Sequence, residues 1–207
     1  MEDKYLNDIS EIKNMMSKSS QFISLSGLSG ILAGIYAIIG AFLAYNILYS
    51  QNNISDDIYY QIISLSDMYN LFGIAITVVV LSILTGVLLS VKKAKKIHEN
   101  VWNATSKRLI INFIIPLAVG GYLCLYLIEK EDFALVAPFT LIFYGLACVN
   151  ASKYTLGDVR YLGITMIILG ILNTFFIGYG LIFWALGFGG CHILYGSMMY
   201  FKHEFRR

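Results

Sequence analysis

One histidine stands in the middle of a long apolar run, in GFGGCHILYG (187–196). An imidazole can ligate a metal, relay a proton, act as a general base or make two hydrogen bonds. Each of those uses needs companions. A haem held by two histidines needs a second one at membrane depth, and an iron oxygenase needs several. The other two, His98 and His203, fall in charged segments instead. Proton-coupled transport ordinarily works through a carboxylate, and no Asp or Glu lies inside any apolar run. Cys124, Cys148 and Cys191 lie inside such runs without metal-ligand spacing, so neither a zinc site nor a disulfide is expected. The chain has no His-Glu-x-x-His, no Gly-x-Ser-x-Gly, no phosphate-binding glycine loop and no intramembrane aspartate pair. No catalytic residue, cofactor or metal is expected. Packing and ligand binding are the uses left for His192.

The surroundings that must position this side chain are apolar throughout. Of 207 residues, 57% are hydrophobic and 14% charged, against about 25% charged in a soluble domain. A helix crosses a hydrocarbon core of about 30 Å with roughly 20 apolar residues. Hydrocarbon offers no hydrogen bonds, so a crossing segment must satisfy its own backbone. Runs that are continuously apolar, rather than alternating, select helices over a barrel. The fold class is therefore an all-α polytopic membrane bundle. Six spans are predicted at 24–49, 69–91, 109–128, 133–150, 161–178 and 181–201, the first being the longest. Glycines on both sides of Tyr179 suit a tight turn between the last two.

Residues 1–20 form a separate segment ahead of the transmembrane domain (21–207). They open acidic, with no early apolar core, which argues against a secretory signal. Tyr5, Ile9, Ile12 and Met16 follow helical spacing and predict a short amphipathic helix. Fourteen of the fifteen lysines and arginines fall in the segments that six crossings place on one side; only Lys130 falls on the other. Such asymmetry places both termini in the cytoplasm. Lys92, Lys93, Lys95 and Lys96 dominate the count; the run reads first as the main determinant of topology, with contact to anionic lipids as the alternative. Asn53-Ile54-Ser55 on the opposite side matches a glycosylation acceptor, relevant only in a eukaryotic host.

Small residues say how the spans meet. Gly27, Gly30, Gly34, Ala37, Ala41 and Ala44 recur at steps of three and four down one face of the first span. Helices in lipid associate through close van der Waals contact, and small side chains permit it. The first span is accordingly expected to be the central helix. Ala185, Gly189, His192 and Gly196 make a similar face on the sixth, which turns His192 toward protein. Gly163, Gly170 and Asn173 share a face of the fifth. A neutral imidazole bonded to Asn173, or to a hydroxyl of Tyr195, Thr77, Ser82 or Thr85, would be satisfied. Pro116 and Pro138 predict kinks in the third and fourth spans. With Tyr122, Tyr126, Tyr144 and Tyr195 they suggest a cavity for a lipophilic ligand near His192.

Two stretches, FISLSGLSGILAGIYAIIGA (22–41) and GYGLIFWALGFGGCHILYGSMMYFK (178–202), resemble a family of uncharacterised bacterial six-span membrane proteins. That likeness implies a bacterial cytoplasmic membrane and no particular activity. The last hairpin (161–196) is also similar in composition to the glycine-rich hairpins of acid-resistance six-span membrane proteins. It implies the same hairpin architecture and a role in envelope stress, without a site. Together these expectations describe a non-enzymatic membrane protein acting through helix contacts, a cytoplasmic partner or a second copy. No nucleic-acid partner is expected. The alternative is a small transporter or lipophilic-ligand binder built around His192, Asn173 and Tyr195.

Overall fold

A computed structural model describes residues 25–49, 65–96, 98 and 100–203. The amphipathic segment 1–20, the Asn53 acceptor and the end of the tail lie outside the described residues. Every regular element among the described residues is helical. Helix α1 is Gly27–Tyr49, α2 Leu65–Lys96 and α3 Ala104–Glu129. A 3₁₀ turn, Phe133–Leu135, leads into α4, Val136–Ala151, and another, Ser152–Tyr154, follows it. Helix α5 is Asp158–Phe175. The sixth span is built in three pieces: α6 (Gly180–Trp184), a π-helical stretch (Ala185–Cys191) and α7 (His192–His203).

Among the described residues six helices are long and apolar enough to cross a membrane, as the sequence implied. The second, Ser66–Lys96, is the longest at 31 residues, where the first was expected to be. At about 1.5 Å per residue it outruns a hydrocarbon core of about 30 Å. The turn between the fifth and sixth spans falls where the glycines flank Tyr179. Gly178 adopts φ 93°, a left-handed backbone that any side chain would strain.

The helices are ordered α2, α1, sixth span, then the α5–α4–α3 group. Helix α1 packs on α2 and on the sixth span. The sixth span touches α1, α4 and α5, so it, and not the first span, joins the two halves. Helices α2 and α3 turn much of their length outward, exposing Ile76, Val79, Ile83 and Leu88 on one and Ile111, Ile115 and Leu125 on the other. Large apolar side chains exposed over whole helices suit a lipid solvent.

Glycine explains why these contacts are close. A Cβ on Gly34 would lie 2.7 Å from the Gly189 carbonyl oxygen and 3.0 Å from the Ile193 nitrogen. One on Gly196 would lie 2.7 Å from the Ile31 nitrogen. Gly27 and Gly30 meet the same stretch of α7, and Ala37, Ala41 and Ala44 continue the face, all buried. A second glycine seam joins α4 to α5. Gly145 and Gly163 face one another, each with its Cβ position within 2.7 Å of the other's carbonyl oxygen. Gly170 lies against the Pro138 carbonyl and Ile142 in the same seam. Gly120 of α3 admits the Phe143 ring of α4.

The two prolines do not act alike. Pro138 falls in the first turn of α4, where a missing amide costs no helical bond and no kink is imposed. Pro116 lies inside α3 and leaves the Asn112 carbonyl without its donor. The Asn150 side chain of α4 supplies one, its amide donating to the Asn112 oxygen at 3.0 Å. A helical bond lost within α3 thus becomes a tie between α3 and α4.

Because backbone of the sixth span stands at its Cβ position, Gly34→Leu is expected to destabilise the protein by about 1–3 kcal/mol, the usual cost of overpacking. Gly121→Ala, with open space around it, is expected to be neutral within about 1 kcal/mol. Thermal unfolding in detergent compares the two. Asn150→Leu is expected to cost about 0.6–2 kcal/mol in the natural chain and less in Pro116→Ala. A double-mutant cycle that finds equal losses in both backgrounds contradicts the tie.

Candidate intramembrane histidine site

The site is assembled where the π-helical stretch meets α4. A π-helix has wider spacing of its backbone bonds than an α-helix and occurs mostly as short insertions. Here it covers ALGFGGC, three of whose seven residues are glycine. A Cβ on Gly187 would strike Leu141 and Met166, and one on Gly189 would strike Ile38. The glycines therefore let this stretch sit between α4 and α5 on one side and α1 on the other. At its end stands His192, buried at 7% exposure.

Both ring nitrogens of His192 are engaged. Nδ1 lies 3.1 Å from the Gly187 carbonyl oxygen, and Nε2 lies 2.7 Å from the Tyr144 hydroxyl. A carbonyl oxygen can only accept, so Nδ1 carries the proton. A neutral ring then presents a lone pair at Nε2, and Tyr144 is the donor. The two hydrogen bonds fix the tautomer, and a proton chain runs from tyrosine to imidazole to backbone. The ring has no free lone pair for a metal or a substrate proton while Tyr144 holds it.

Aromatic rings enclose the pair. Phe113 of α3 meets Tyr144 edge-on at 5.9 Å, and Phe188 does so at 5.0 Å. Phe188 also stacks on His192 at 5.9 Å and touches Trp184 at 5.0 Å. Leu141, Leu162 and Met166 form the apolar floor, with Tyr195 against them. Such a setting leaves a polar bond without competition from water, which is the condition under which it counts most.

The partners suggested by spacing are elsewhere. Tyr195 bonds Thr165 of α5 at 3.1 Å. The Thr165 proton goes to the Tyr161 carbonyl, so Tyr195 donates and Thr165 accepts. Thr77 and Thr85 donate to Gly73 and Leu81 within their own helix, and Ser82 shares that helix, α2, which packs on α1. Asn173 is 1% exposed, and its side-chain nitrogen has no hydrogen-bond partner among the described residues. It shares the buried face of α5 with Gly163 and Gly170, the face that packs on α4. His192 and Asn173 are therefore not a pair.

The tyrosines scatter likewise. Tyr144 and Tyr195 point inward, while Tyr122 and Tyr126 are exposed on α3. Tyr144, which the sequence offers only as one of four cavity tyrosines, is the hydrogen-bond partner of His192. Its signal is positional, since it lies three residues after Leu141 and one before Gly145, on the buried face of the fourth span. A groove of about 540 Å³ does exist, but between α1 and α2, where it is lined by Tyr36, Gly40, Tyr69, Asn70 and Thr77. Among the described residues no three His, Cys, Asp or Glu side chains gather as metal ligands. No family model, curated protein or solved structure matches the chain.

The Tyr144–His192 bond is expected to contribute about 0.6–2 kcal/mol, the range of hydrogen bonds between membrane helices. Tyr144→Phe and His192→Leu, alone and combined, give the coupling by thermal or denaturant unfolding in detergent. Additive losses would show that the two side chains do not interact.

Proposed function

We propose that this chain is a non-enzymatic multi-pass protein of a bacterial cytoplasmic membrane, with both termini on the cytoplasmic side. It works through its helix surfaces or through a partner at its lysine-rich face, in maintenance of the cell envelope. The observation that carries this reading is the use made of His192. The one ionisable side chain expected to do chemistry in the membrane spends both ring nitrogens on Gly187 and Tyr144. It fastens the sixth span to the fourth. The cytoplasmic assignment rests on the distribution of lysine and arginine.

A second reading rests on the α1–α2 groove. Its volume of about 540 Å³ falls within the range of small-molecule sites, about 300–1,000 Å³. Its lining is mostly apolar, with Tyr36, Asn70 and Thr77 as polar points. A lipophilic ligand would sit there, open to the surrounding lipid, and not beside His192.

Native mass spectrometry of the full chain released from gentle detergent separates the two. The first reading expects the bare chain, a second copy or a protein partner, and no stoichiometric small molecule held in the groove. A retained lipophilic compound that is lost in Gly73→Phe, which fills the groove wall, supports the second and counts against the first.

A further inference from the structure

Charge at the lysine-rich end is divided between groups the protein has used and groups it has left exposed. Lys93 is half-buried and donates to the Leu25 carbonyl at 2.7 Å, tying the end of α2 to the start of α1. Lys202 pairs with Asp158 at 2.9 Å, tying α7 to α5. Lys92, Lys95, Lys96, Lys107, Arg108 and Lys153 are all exposed and form no ion pair among the described residues. Three of them project from the end of α2, the helix that outruns a bilayer core. Lys107 and Arg108 stand in the first turns of α3, and the 3₁₀ turn carrying Lys153 packs on that same helix. Between the two groups Trp102 is 64% exposed, with the Lys107 ammonium 5.5 Å from its ring centre.

We infer that this face is a binding surface for anionic phospholipid headgroups. A cation that only reports topology needs no particular setting. These six are held at the ends of three consecutive spans, just where helix meets headgroup. The indole of Trp102, in the connector between α2 and α3 and covered by Lys107, is the side chain that settles at that depth, apolar ring toward the chains and N–H toward water. A cation over its face holds positive charge at the same level. Lys93, although part of the same lysine run, is excluded from the surface, because its ammonium serves the Leu25 carbonyl. The inference needs only that the spans lie in a bilayer, and it does not depend on which side that face occupies or on the proposed function.

Each basic residue near an anionic surface changes partition about fivefold. The test uses the full chain carrying Trp184→Phe, so that Trp102 is the sole tryptophan. It is reconstituted in phosphatidylcholine vesicles, and Trp102 fluorescence is quenched with brominated phosphatidylglycerol or brominated phosphatidylcholine. Phosphatidylglycerol is expected to quench preferentially. The preference should fall about tenfold or more in the triple variant Lys107→Gln, Arg108→Gln, Lys153→Gln, whose residues lie on α3 beside Trp102 or on the turn packed against that helix, and remain in Lys93→Gln. It should also shrink in 1 M salt, where the screening length is about 3 Å. Equal quenching by both lipids in the parent chain, or a preference indifferent to salt, overturns the inference even if the triple variant fails to fold. Loss of the preference on adding millimolar inorganic phosphate, at constant ionic strength, would point to a soluble phosphate ligand and overturn the lipid assignment.

Discussion

A polar atom inside hydrocarbon has to find its partner within the protein, because the solvent offers none. Much of this structure follows from that constraint. Pro116 frees a carbonyl in α3, and the Asn150 amide comes across from α4 to meet it. His192 divides its two nitrogens between a backbone oxygen and Tyr144. Tyr195 gives its proton to Thr165, which has already given its own to the Tyr161 carbonyl. Thr77 and Thr85 on α2 bond back to carbonyls of their own helix. Asn150, His192 and Tyr195 thus become ties between spans, whereas the buried side-chain nitrogen of Asn173 has no such partner among the described residues.

Close approach is the second half of the same problem. Helices in lipid gain little from burying apolar surface, so they hold together through packing and through such hydrogen bonds. Glycine serves both. The π-helical stretch of the sixth span brings the two together within seven residues. The Gly189 carbonyl lies against Gly34 of α1, and the Gly187 carbonyl accepts from the His192 ring. One side of the stretch is thus a backbone contact with α1; on the other, Gly187 lies against Leu141 of α4 and Met166 of α5, and the ring it orients accepts from Tyr144 of α4.

Number and type of spans were legible in the sequence because both rest on local quantities: run length, charge spacing and continuous hydrophobicity. The small-residue face from Gly27 to Ala44 was legible for the same reason, since helical periodicity is a property of one segment. What one segment cannot tell is which neighbour it meets. The longest glycine stripe lies on α1, yet the sixth span is the joining element, because a stripe records closeness and not the number of partners. His192 was readable as buried, but its partner was not. Asn173 and Tyr195 match it in depth, and only the packing of α4 on the sixth span brings Tyr144 to Nε2. Pro138 reads as a kink until the start of α4 is known. The lysine run reads as four equivalent charges until Leu25 is seen to take one of them.

The central claim is that the imidazole of His192 is a neutral, doubly bonded fastener. Solid-state ¹⁵N spectroscopy of histidine-labelled protein in bilayers tests it most directly, with His98→Gln and His203→Gln removing the other two rings. A protonated Nδ1 and an unprotonated, hydrogen-bonded Nε2 that shifts in Tyr144→Phe is the expected spectrum. A proton on Nε2, an imidazolium, or an Nε2 resonance indifferent to Tyr144→Phe would contradict it.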